Sequence, residues 1–295
     1  MERRLFLKTG GLVAISQFTG MSTLNALQAL GSQLKPTERM PALFVGHGNP
    51  MNAIENNIYH NTWQQIGSSL PKPKAILSIS AHWLTSVTKV TVTAQPKTIH
   101  DFGGFPKKLF EQEYPAPGSP EFAALTREII NESHVQSDEN WGLDHGTWSV
   151  LLPMFPLADI PVYQLSIVYE MPTTYHYKIG QQLNKLRDKG VLIMGSGNIV
   201  HNLMEVDWNK TGKNYDWAIE FDTKMAEWIS KGDHASLQNY KKLLGKTADM
   251  AHPSNDHLLP LYYILGVQQK NEQIHYFNDS MDMGSISMRS FVVKA

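Results

Sequence analysis

Short, continuous apolar runs alternate with amphipathic stretches along most of the chain. Four of these runs lack polar alternation and end in turn residues, at 41–45, 74–80, 161–167 and 191–194. Runs of this length indicate strands that are buried on both faces of a sheet. Two later stretches, 273–277 and 285–293, are predicted to be strands that close the same sheet.

Between these runs, apolar residues recur at the spacing of an α-helix. Ser119, followed by a proline, is predicted to cap a helix that runs towards Glu132. A second apolar face extends from Thr174 to Leu186, and that helix is predicted to end before Gly190.

A third helical stripe, Trp217, Phe221, Met225 and Trp228, is spaced for packing against a core. The alternation of strands and helices predicts an α/β fold. We expect a single domain with a central, mostly parallel or mixed sheet, helices on both faces, and a ligand site at the carboxyl ends of the strands.

The first residues of the chain have a different pattern. Arg3 and Arg4 precede Phe-Leu-Lys, and a weakly apolar stretch occupies residues 10–30, which resembles a twin-arginine export signal. The stretch is too polar for a membrane span, so no stable membrane anchor is expected. The alternative is an amphipathic helix of the folded domain.

These features predict a signal and linker over residues 1–39 and one folded domain over 40–295. The expected partner of the signal is the twin-arginine export machinery. The expected location is therefore the periplasm, and the alternative is the cytoplasm.

Composition narrows the chemistry that the domain can carry. The formal net charge is −1, from 26 basic and 27 acidic residues, so a nucleic-acid partner is not expected. The chain has no cysteine, which excludes disulfides, iron–sulfur clusters, thiolate zinc sites and cysteine nucleophiles. It has 12 histidines, so a transition metal would have to be held by imidazoles and carboxylates.

Three histidines, His47, His82 and His201, each follow a predicted buried strand. Because ligands in open α/β sheets bind beyond the carboxyl ends of the strands, we expect these imidazoles to meet at one edge. His145 lies in a turn before an apolar run, and His257 lies at the start of an apolar helix. Imidazole is the commonest ligand of transition metals, so the five together indicate a metal site.

Of the other seven histidines, two are intermediate cases and five are interpreted as surface residues. His100 and His252 lie in loops rich in glycine or proline that could cover a site. The remaining five lie on polar stretches and are predicted to face solvent: His60, His134, His176, His234 and His275.

Six short motifs stand in order along the domain, at 46–51, 80–83, 98–106, 114–118, 144–148 and 195–202. They begin with Gly-His-Gly-Asn-Pro-Met and end with Gly-Ser-Gly-Asn-Ile-Val-His-Asn. Together they resemble the class III extradiol ring-cleavage dioxygenases, in particular the branch similar to 4,5-DOPA extradiol dioxygenases. The resemblance extends from Met40 to the end of the chain.

The resemblance implies an oxidoreductase that inserts both atoms of O2 into a small-molecule catechol. It implies one divalent non-haem metal per chain, held by His47, His82 and His257. It also places His201 in the site as a further metal ligand or as the catalytic base, and His145 facing the substrate.

The identity of the metal is a separate question. The resemblance implies Fe(II) for activity, and better-known members of the wider superfamily hold Fe(II) with two histidines and a glutamate. Here the region of the third ligand offers Asp256 and His257 and no glutamate. An all-imidazole set also suits Zn(II), which is the alternative occupant.

The loop over residues 98–106 contains a Gly-Gly pair and is predicted to be a lid over an aromatic substrate. An ordinary packed surface loop is the alternative. The candidate residues of the lid and of the substrate wall are His100, Phe102, Phe105, Trp83 and Trp148.

Three alternative functions remain open at this point. A zinc hydrolase could use the same imidazoles, but the sequence has no H-E-x-x-H motif to supply a carboxylate base. A metal-storage protein would leave His145 and His201 without a role. A non-catalytic relative of the dioxygenases would be expected to lack one of the motif histidines, and all of them are present.

Overall fold

The computed structural model describes residues 39–209 and 212–295. All but the last residue of the predicted signal and linker therefore lies outside the described residues. The strands are β1 (Ala42–Gly46), β2 (Ala75–Ser80), β3 (Leu84–Thr85), β4 (Lys89–Thr91), β5 (Gln136–Asp138), β6 (Val162–Gln164), β7 (Ile167–Val168), β8 (Val191–Gly197), β9 (Gln273–Phe277), β10 (Met281–Asp282), β11 (Ile286–Ser287) and β12 (Ser290–Lys294).

The α-helices, in chain order, are α1 (Ile58–Ser69), α2 (Lys107–Phe110), α3 (Pro120–Ile129), α4 (His145–Met154), α5 (Thr173–Arg187), α6 (Asp216–Lys231), α7 (His234–Gln238), α8 (Tyr240–Leu244), α9 (Lys246–Ala251) and α10 (Leu259–Val267). Two short 3-10 helices occupy Pro50–Ala53 and Leu203–Glu205. No helix in the described ranges is both long and apolar enough to cross a membrane.

Six strands form a mixed central sheet in the order β6-β2-β8-β1-β12-β9. β6, β2, β8 and β1 are parallel; β12 pairs antiparallel with β1, and β9 pairs antiparallel with β12. Every residue of β1, β2 and β8 is buried, as the continuous apolar runs predicted. The predicted α/β class and mixed sheet are confirmed.

Each face of the sheet packs against its own group of helices. Phe44 of β1 belongs to the core cluster that includes Ile179 of α5, and helices α5 and α10 pack together on that side. Its neighbour Leu43 points the other way, into the cluster that includes Trp63 of α1 and Trp148 of α4. Successive side chains of a strand point to opposite faces, so an uninterrupted apolar strand supplies both cores.

Two predicted strands are broken in the structure. The run 161–167 is one strand in the sequence pattern, but β6 ends at Gln164 because the amides of Ser166 and Ile167 donate to Lys89 and Trp83 instead of to β2. The run 285–293 is likewise divided into β11 and β12, since the Met288 amide donates to Ser280. The apolar pattern indicates which residues are buried, but it does not indicate where the backbone changes its hydrogen-bond partner from one strand to another segment.

The predicted helices are found with shifted ends. Helix α3 begins at Pro120 as expected but ends at Ile129, and the Ser119 hydroxyl donates to Glu121 instead of capping the helix. Helix α5 matches its prediction, and Gly190 after it has a φ of 88°, in the left-handed region that favours glycine. The stripe on α6 packs against the core as predicted.

One of the histidines predicted to face solvent is buried. The His176 ring lies inside the core, where Nδ1 is 3.0 Å from the Tyr263 hydroxyl and Nε2 is 3.2 Å from the Met171 carbonyl oxygen. His134 and His275 are exposed, and the remaining two are half-buried. His252 is also buried, with Nε2 at 2.6 Å from the Ile199 carbonyl oxygen.

Candidate metal centre

The carboxyl ends of three adjacent parallel strands bring histidines to one cavity. His47 directly follows β1, His82 lies just after β2, and His201 lies after β8. His145 begins α4 and His257 precedes α10, and all five line the same cavity of about 360 Å³. This is the crevice beyond the strand ends where open α/β sheets bind ligands.

Three of the five form a compact set of nitrogen donors. The candidate ligand atoms of His47, His82 and His257 lie within 4.8 Å of one another. Nε2 of His47 is 3.1 Å from Nε2 of His82. Two imidazoles bound to one ion at about 2.1 Å have their nitrogens roughly 3.0–3.4 Å apart for angles between a right angle and a tetrahedral one. The observed spacing therefore fits two ligands of a single ion.

Hydrogen bonds determine which ring nitrogen of His47 is free. The Ser196 hydroxyl donates its only proton to the Gly146 carbonyl oxygen. Its oxygen lies 2.9 Å from Nδ1 of His47, so that nitrogen must carry the hydrogen and donate it to Ser196. Nε2 of His47 is then left with a lone pair that faces the cavity.

A carboxylate lies beside Nδ1 of each of the other two donors, His82 and His257. Nδ1 of His82 is 3.4 Å from Oδ2 of Asp101, and Nδ1 of His257 is 3.1 Å from Oδ2 of Asp256. A carboxylate beside Nδ1 favours the tautomer that carries its proton there and leaves Nε2 free for a metal. All three rings thus have an oxygen acceptor close to Nδ1, as metal-ligating histidines commonly do.

The electrostatics of the cavity favour neutral imidazoles. Burial lowers the pKa of His47 well below its ordinary value, and the surrounding histidines lower it further. The same causes, burial first, lower the pKa of His82 and of His201. A neutral imidazole is the form that binds a metal, so these rings are in the required state at neutral pH.

The other two cavity histidines flank the donor set. The His201 ring stacks flat on His257, with the ring centroids 3.5 Å apart and the planes 5° from parallel. The His145 ring lies on the other side, with its centroid 3.8 Å from that of His82. An ion in this set would therefore have three close donors and two further imidazoles beside it.

Two glycines allow the elements of the site to approach one another. A Cβ on Gly197, at the end of β8, would lie 2.1 Å from the His257 carbonyl oxygen. A Cβ on Gly146, in the first turn of α4, would lie 2.8 Å from Cδ2 of His82 and 2.5 Å from the Ser80 hydroxyl. Any larger residue at either position would displace a candidate ligand.

The predicted lid and wall residues divide into two groups. Phe102 and Phe105 line the cavity. The other three do not line the cavity. Trp148 is buried and donates from Nε1 to the Ile99 carbonyl oxygen. Nε2 of His100 lies 2.9 Å from the Gln112 carbonyl oxygen. Trp83 is also buried, and its ring stacks on Trp141.

Several cavity residues were not singled out from the sequence. Asp101 lies within the third motif, at 98–106, and contacts His82 and His145. Ser196 lies within the last motif, at 195–202, and contacts Nδ1 of His47. Four further wall residues lie outside the six motifs, in segments that are separate along the chain, and have no such signal: Leu203, Trp208, Met283 and Ile286.

The chain is similar to known proteins over almost the whole described domain. The family model described as the catalytic LigB subunit of aromatic ring-opening dioxygenase matches residues 41–289. A 4,5-DOPA dioxygenase extradiol from Escherichia coli (strain K12) is 45% identical over 256 residues, which cover 85% of this chain and 94% of the relative. One from Beta vulgaris is 38% identical over 259 residues, or 84% and 94% of the two chains.

A solved structure has the same fold. The crystal structure of an uncharacterized protein from Escherichia coli K12 is 39% identical in sequence and has a TM-score of 0.74. The match covers 87% of this chain and 100% of that one. The chain therefore belongs to the class III extradiol ring-cleavage dioxygenase family, among the oxidoreductases that resemble 4,5-DOPA extradiol dioxygenases.

Proposed function

We propose that the protein cleaves the ring of a catechol by inserting both atoms of O2, at one divalent metal ion held by His47, His82 and His257. The observation that carries this proposal is the set of three nitrogen donors within 4.8 Å at the strand ends, with two more imidazoles on the same cavity. A donor triad on one side of an ion leaves positions open for a bidentate catechol and for O2.

The donor set suits Fe(II), and ring cleavage needs a metal that can exchange electrons. When bound, the ion would lower the pKa of a catechol hydroxyl and carry charge from the ring to O2. Zn(II) fits the same three imidazoles but has no redox chemistry. We therefore propose Fe(II) as the active metal and Zn(II) as a competing occupant.

His201 is proposed as the base that takes a proton from the catechol, and not as a fourth ligand. Its ring is parallel to that of His257 and 3.5 Å away, so its lone pairs lie in a plane displaced from the one that contains the His257 donor. From there its nitrogen can reach a group bound beside the ion. A histidine base typically accelerates such a step about 10²–10⁴-fold.

His145 is proposed to act on the opposite side of the substrate. Its ring lies against His82 and contacts Phe102, with the ring centroids 5.5 Å apart. That position allows it to donate a hydrogen bond to a catechol oxygen or to the oxygen being inserted. With His201 and His145 on opposite sides of the catechol ring, each imidazole can hold a proton at a different oxygen atom.

The shape of the cavity suits an aromatic ring. Its volume of about 360 Å³ is within the usual range for small-molecule sites. Phe102 and Phe105 form part of the wall, and their rings contact each other edge to face at a centroid distance of 5.4 Å. Apolar walls would exclude water from the bound catechol and its oxygen atoms.

Oxygen uptake tests this proposal. Metal-free protein is loaded anaerobically with Fe(II) or with Zn(II), mixed with a panel of catechols including L-DOPA, and placed in an oxygen electrode. The proposal predicts uptake with Fe(II) and none with Zn(II). Hydrolysis of ester or amide substrates by the Zn(II) form, without oxygen uptake by the Fe(II) form, would favour the zinc hydrolase instead.

We also propose that residues 1–39 direct export by the twin-arginine route and that residues 40–295 form the mature periplasmic enzyme. The supporting observations are the Arg3-Arg4 pair before Phe-Leu-Lys and the anchoring of the chain immediately afterwards. The Met40 amide donates to the Arg187 carbonyl oxygen, so the folded domain is secured from its first residue. The partners would be the export machinery, a catechol and O2.

A further inference from the structure

The loop over residues 98–106 is fixed at its beginning and free at its tip. Thr98 pairs with Leu143, and the Ile99 carbonyl oxygen accepts a hydrogen bond from Trp148 Nε1 at 2.9 Å. Beyond Phe102 these anchors stop, because a Cβ on Gly103 or Gly104 would have nothing within 4 Å. Asp101 is therefore the last anchored polar residue before the free tip.

The Asp101 carboxylate joins this loop to two other elements. Oδ1 accepts a hydrogen bond from the backbone amide of His145 at 2.9 Å and lies 3.0 Å from Nδ1 of the same residue. Oδ2 lies 3.4 Å from Nδ1 of His82. One side chain thus connects the loop to the first turn of α4 and to a candidate metal ligand.

Asp101 also sets the position of a cavity wall. Phe102 follows it directly, lines the cavity, and contacts the His145 ring. If the carboxylate were released, Phe102 would be held only by the packing of its own ring and by the anchors earlier in the loop, of which the nearest is the contact of His100 with the Gln112 carbonyl oxygen. The position of the wall is therefore tied to the contact between Asp101 and the two histidines.

Binding of an ion at Nε2 of His82 would strengthen that contact. An imidazole that shares its lone pair with a cation becomes more positive and holds a carboxylate at Nδ1 more firmly. Coupling between two events is reciprocal, so a carboxylate that favours metal binding is itself held in place by the metal. Loading of the ion and closure of the loop would then favour each other.

We propose that Asp101 is a positioning residue that latches loop 98–106 to His82 and to α4, so that metal binding closes the loop over the cavity. The inference rests on the proposed metal ligands but on neither the catechol nor the oxygen chemistry. His82, Asp101 and His145 are also close enough to hold an ion themselves, so the number of ions bound per chain is part of the test.

Limited proteolysis measures loop closure without any assay of activity. Lys107 and Lys108 are exposed and begin α2 directly after the loop, so trypsin cleavage there reports how freely the loop opens together with the first turn of α2. The full-length chain, metal-free or loaded with Co(II), is digested and the rate of cleavage at these two lysines is measured by mass spectrometry. In the original protein, Co(II) should slow this cleavage roughly tenfold or more.

Asp101→Ala should remove the latch. The same cleavage rate is expected with and without Co(II), and the affinity for Co(II) should fall about 10–100-fold. Asp101→Asn retains an acceptor for the His145 amide but loses the charge, and an intermediate effect is expected. The matched control is Asp233→Asn, since Asp233 also accepts a backbone amide at a helix start, from Ser236 at 3.1 Å, away from the cavity.

The possible outcomes distinguish the proposed Asp101 latch from the proposed dioxygenase activity. Protection of Asp101→Ala by Co(II) to the same degree as the original protein would overturn the latch, as would an original protein that Co(II) does not protect. Two ions per chain, falling to one in Asp101→Ala, would make Asp101 a metal ligand instead. A protein that passes this test but consumes no oxygen with catechols would contradict only the proposed dioxygenase activity.

Discussion

Individual side chains determine the chemistry of the cavity before any ion binds. Ser196 donates to a backbone carbonyl and can therefore only accept from His47, which leaves Nε2 of His47 free. Burial and the neighbouring imidazoles lower the pKa of His47, His82 and His201, so competition from protons is weak at neutral pH. The proposed roles of ligand and base can therefore be separated by substitution.

The first prediction distinguishes a ligand from a base. His47→Ala should lower the metal content to near background, because it removes one of three donors. His201→Gln should keep the metal content of the original protein while turnover falls about 10²–10⁴-fold. Metal analysis and steady-state rates check both variants. Metal loss in His201→Gln would make His201 a ligand, and full metal content in His47→Ala would refute the ligand assignment.

A second prediction concerns pH and stability, at a residue outside the site. Burial lowers the pKa of His176 to about 4, and the hydrogen bond that its ring donates to the Met171 carbonyl oxygen opposes this only in part. Between about pH 6.5 and pH 4 the unfolded chain binds a proton that the folded chain does not, so the free energy of unfolding falls as the pH falls.

His176→Gln should remove this contribution. The loss of unfolding free energy between pH 7 and pH 4.5 should become smaller by about 2 kcal/mol, measured by urea titration at each pH. His134→Gln, at an exposed histidine, is the matched control for the substitution itself. Equal pH dependence in His176→Gln and the original protein would contradict the argument.

The strand-end histidines could be predicted from the sequence because parallel strands end at one edge, so position along the chain fixes position in space. The position of Asp101 beside the histidines could not be predicted in this way, because it depends on pairing between Thr98 and Leu143, which are far apart in the sequence. His176 was assigned to solvent because its stretch is polar. It is buried next to Tyr175, where tertiary packing against α10 outweighs local polarity.

At the scale of elements, the site depends on how closely β8 approaches the turn before α10. The Asn198 amide donates to the His257 carbonyl oxygen at 2.9 Å, and only a glycine at 197 leaves room for that carbonyl. Apolar periodicity predicted β8 and the apolar helix separately. It could not predict their contact, which brings His257 to the strand ends.

Gly197→Ala should therefore affect both folding and the metal. Its Cβ would lie 2.1 Å from the His257 carbonyl oxygen, so the turn must move, at a cost of about 1–3 kcal/mol of stability and with weaker metal binding. Gly67→Ala is the matched control, since its Cβ would lie 2.0 Å from the Met154 carbonyl oxygen, far from the site.

Thermal unfolding and Co(II) titration distinguish the two variants. Both should unfold at lower temperature, but only Gly197→Ala should bind Co(II) more weakly. Equal metal affinity in the two variants would mean that the approach of β8 does not position His257.

At the scale of the whole molecule, a buried ion pair between Arg187 and Glu272 attaches the start of the described chain to the core. Arg187 is almost fully buried, and its guanidinium donates to both carboxylate oxygens of Glu272 and to the Met40 carbonyl oxygen. Arg39 also contacts Glu272, at 3.2 Å. The chain from residue 39 onward is therefore joined to the core, which fits the boundary proposed between signal and enzyme.

The export proposal makes a prediction at this scale. Replacing Arg3 and Arg4 with Lys should leave the full-length precursor in the cytoplasm, folded and loaded with metal, because the twin-arginine route carries proteins that are already folded. Folding around Fe(II) before export would avoid competition from Zn(II) and Cu(II), which bind such sites more tightly. Lys8→Arg is the control and should be exported.

Fractionation and N-terminal sequencing check this prediction. The original protein should be recovered from the periplasm with a new N-terminus shortly before Met40. Unprocessed original protein in the cytosol would contradict the proposal, and the first residues would then require a role in the folded domain.

Isotope labelling of the product tests the central claim most directly. Metal-free protein is loaded anaerobically with Fe(II) and mixed with L-DOPA, or with the catechol of the panel that gives the fastest oxygen uptake. The mixture is exposed to ¹⁸O₂, and the product is analysed at once by mass spectrometry. The account predicts a ring-opened product that contains both labelled atoms, and none from His47→Ala. An unlabelled product, or a quinone that has gained no oxygen, would contradict it.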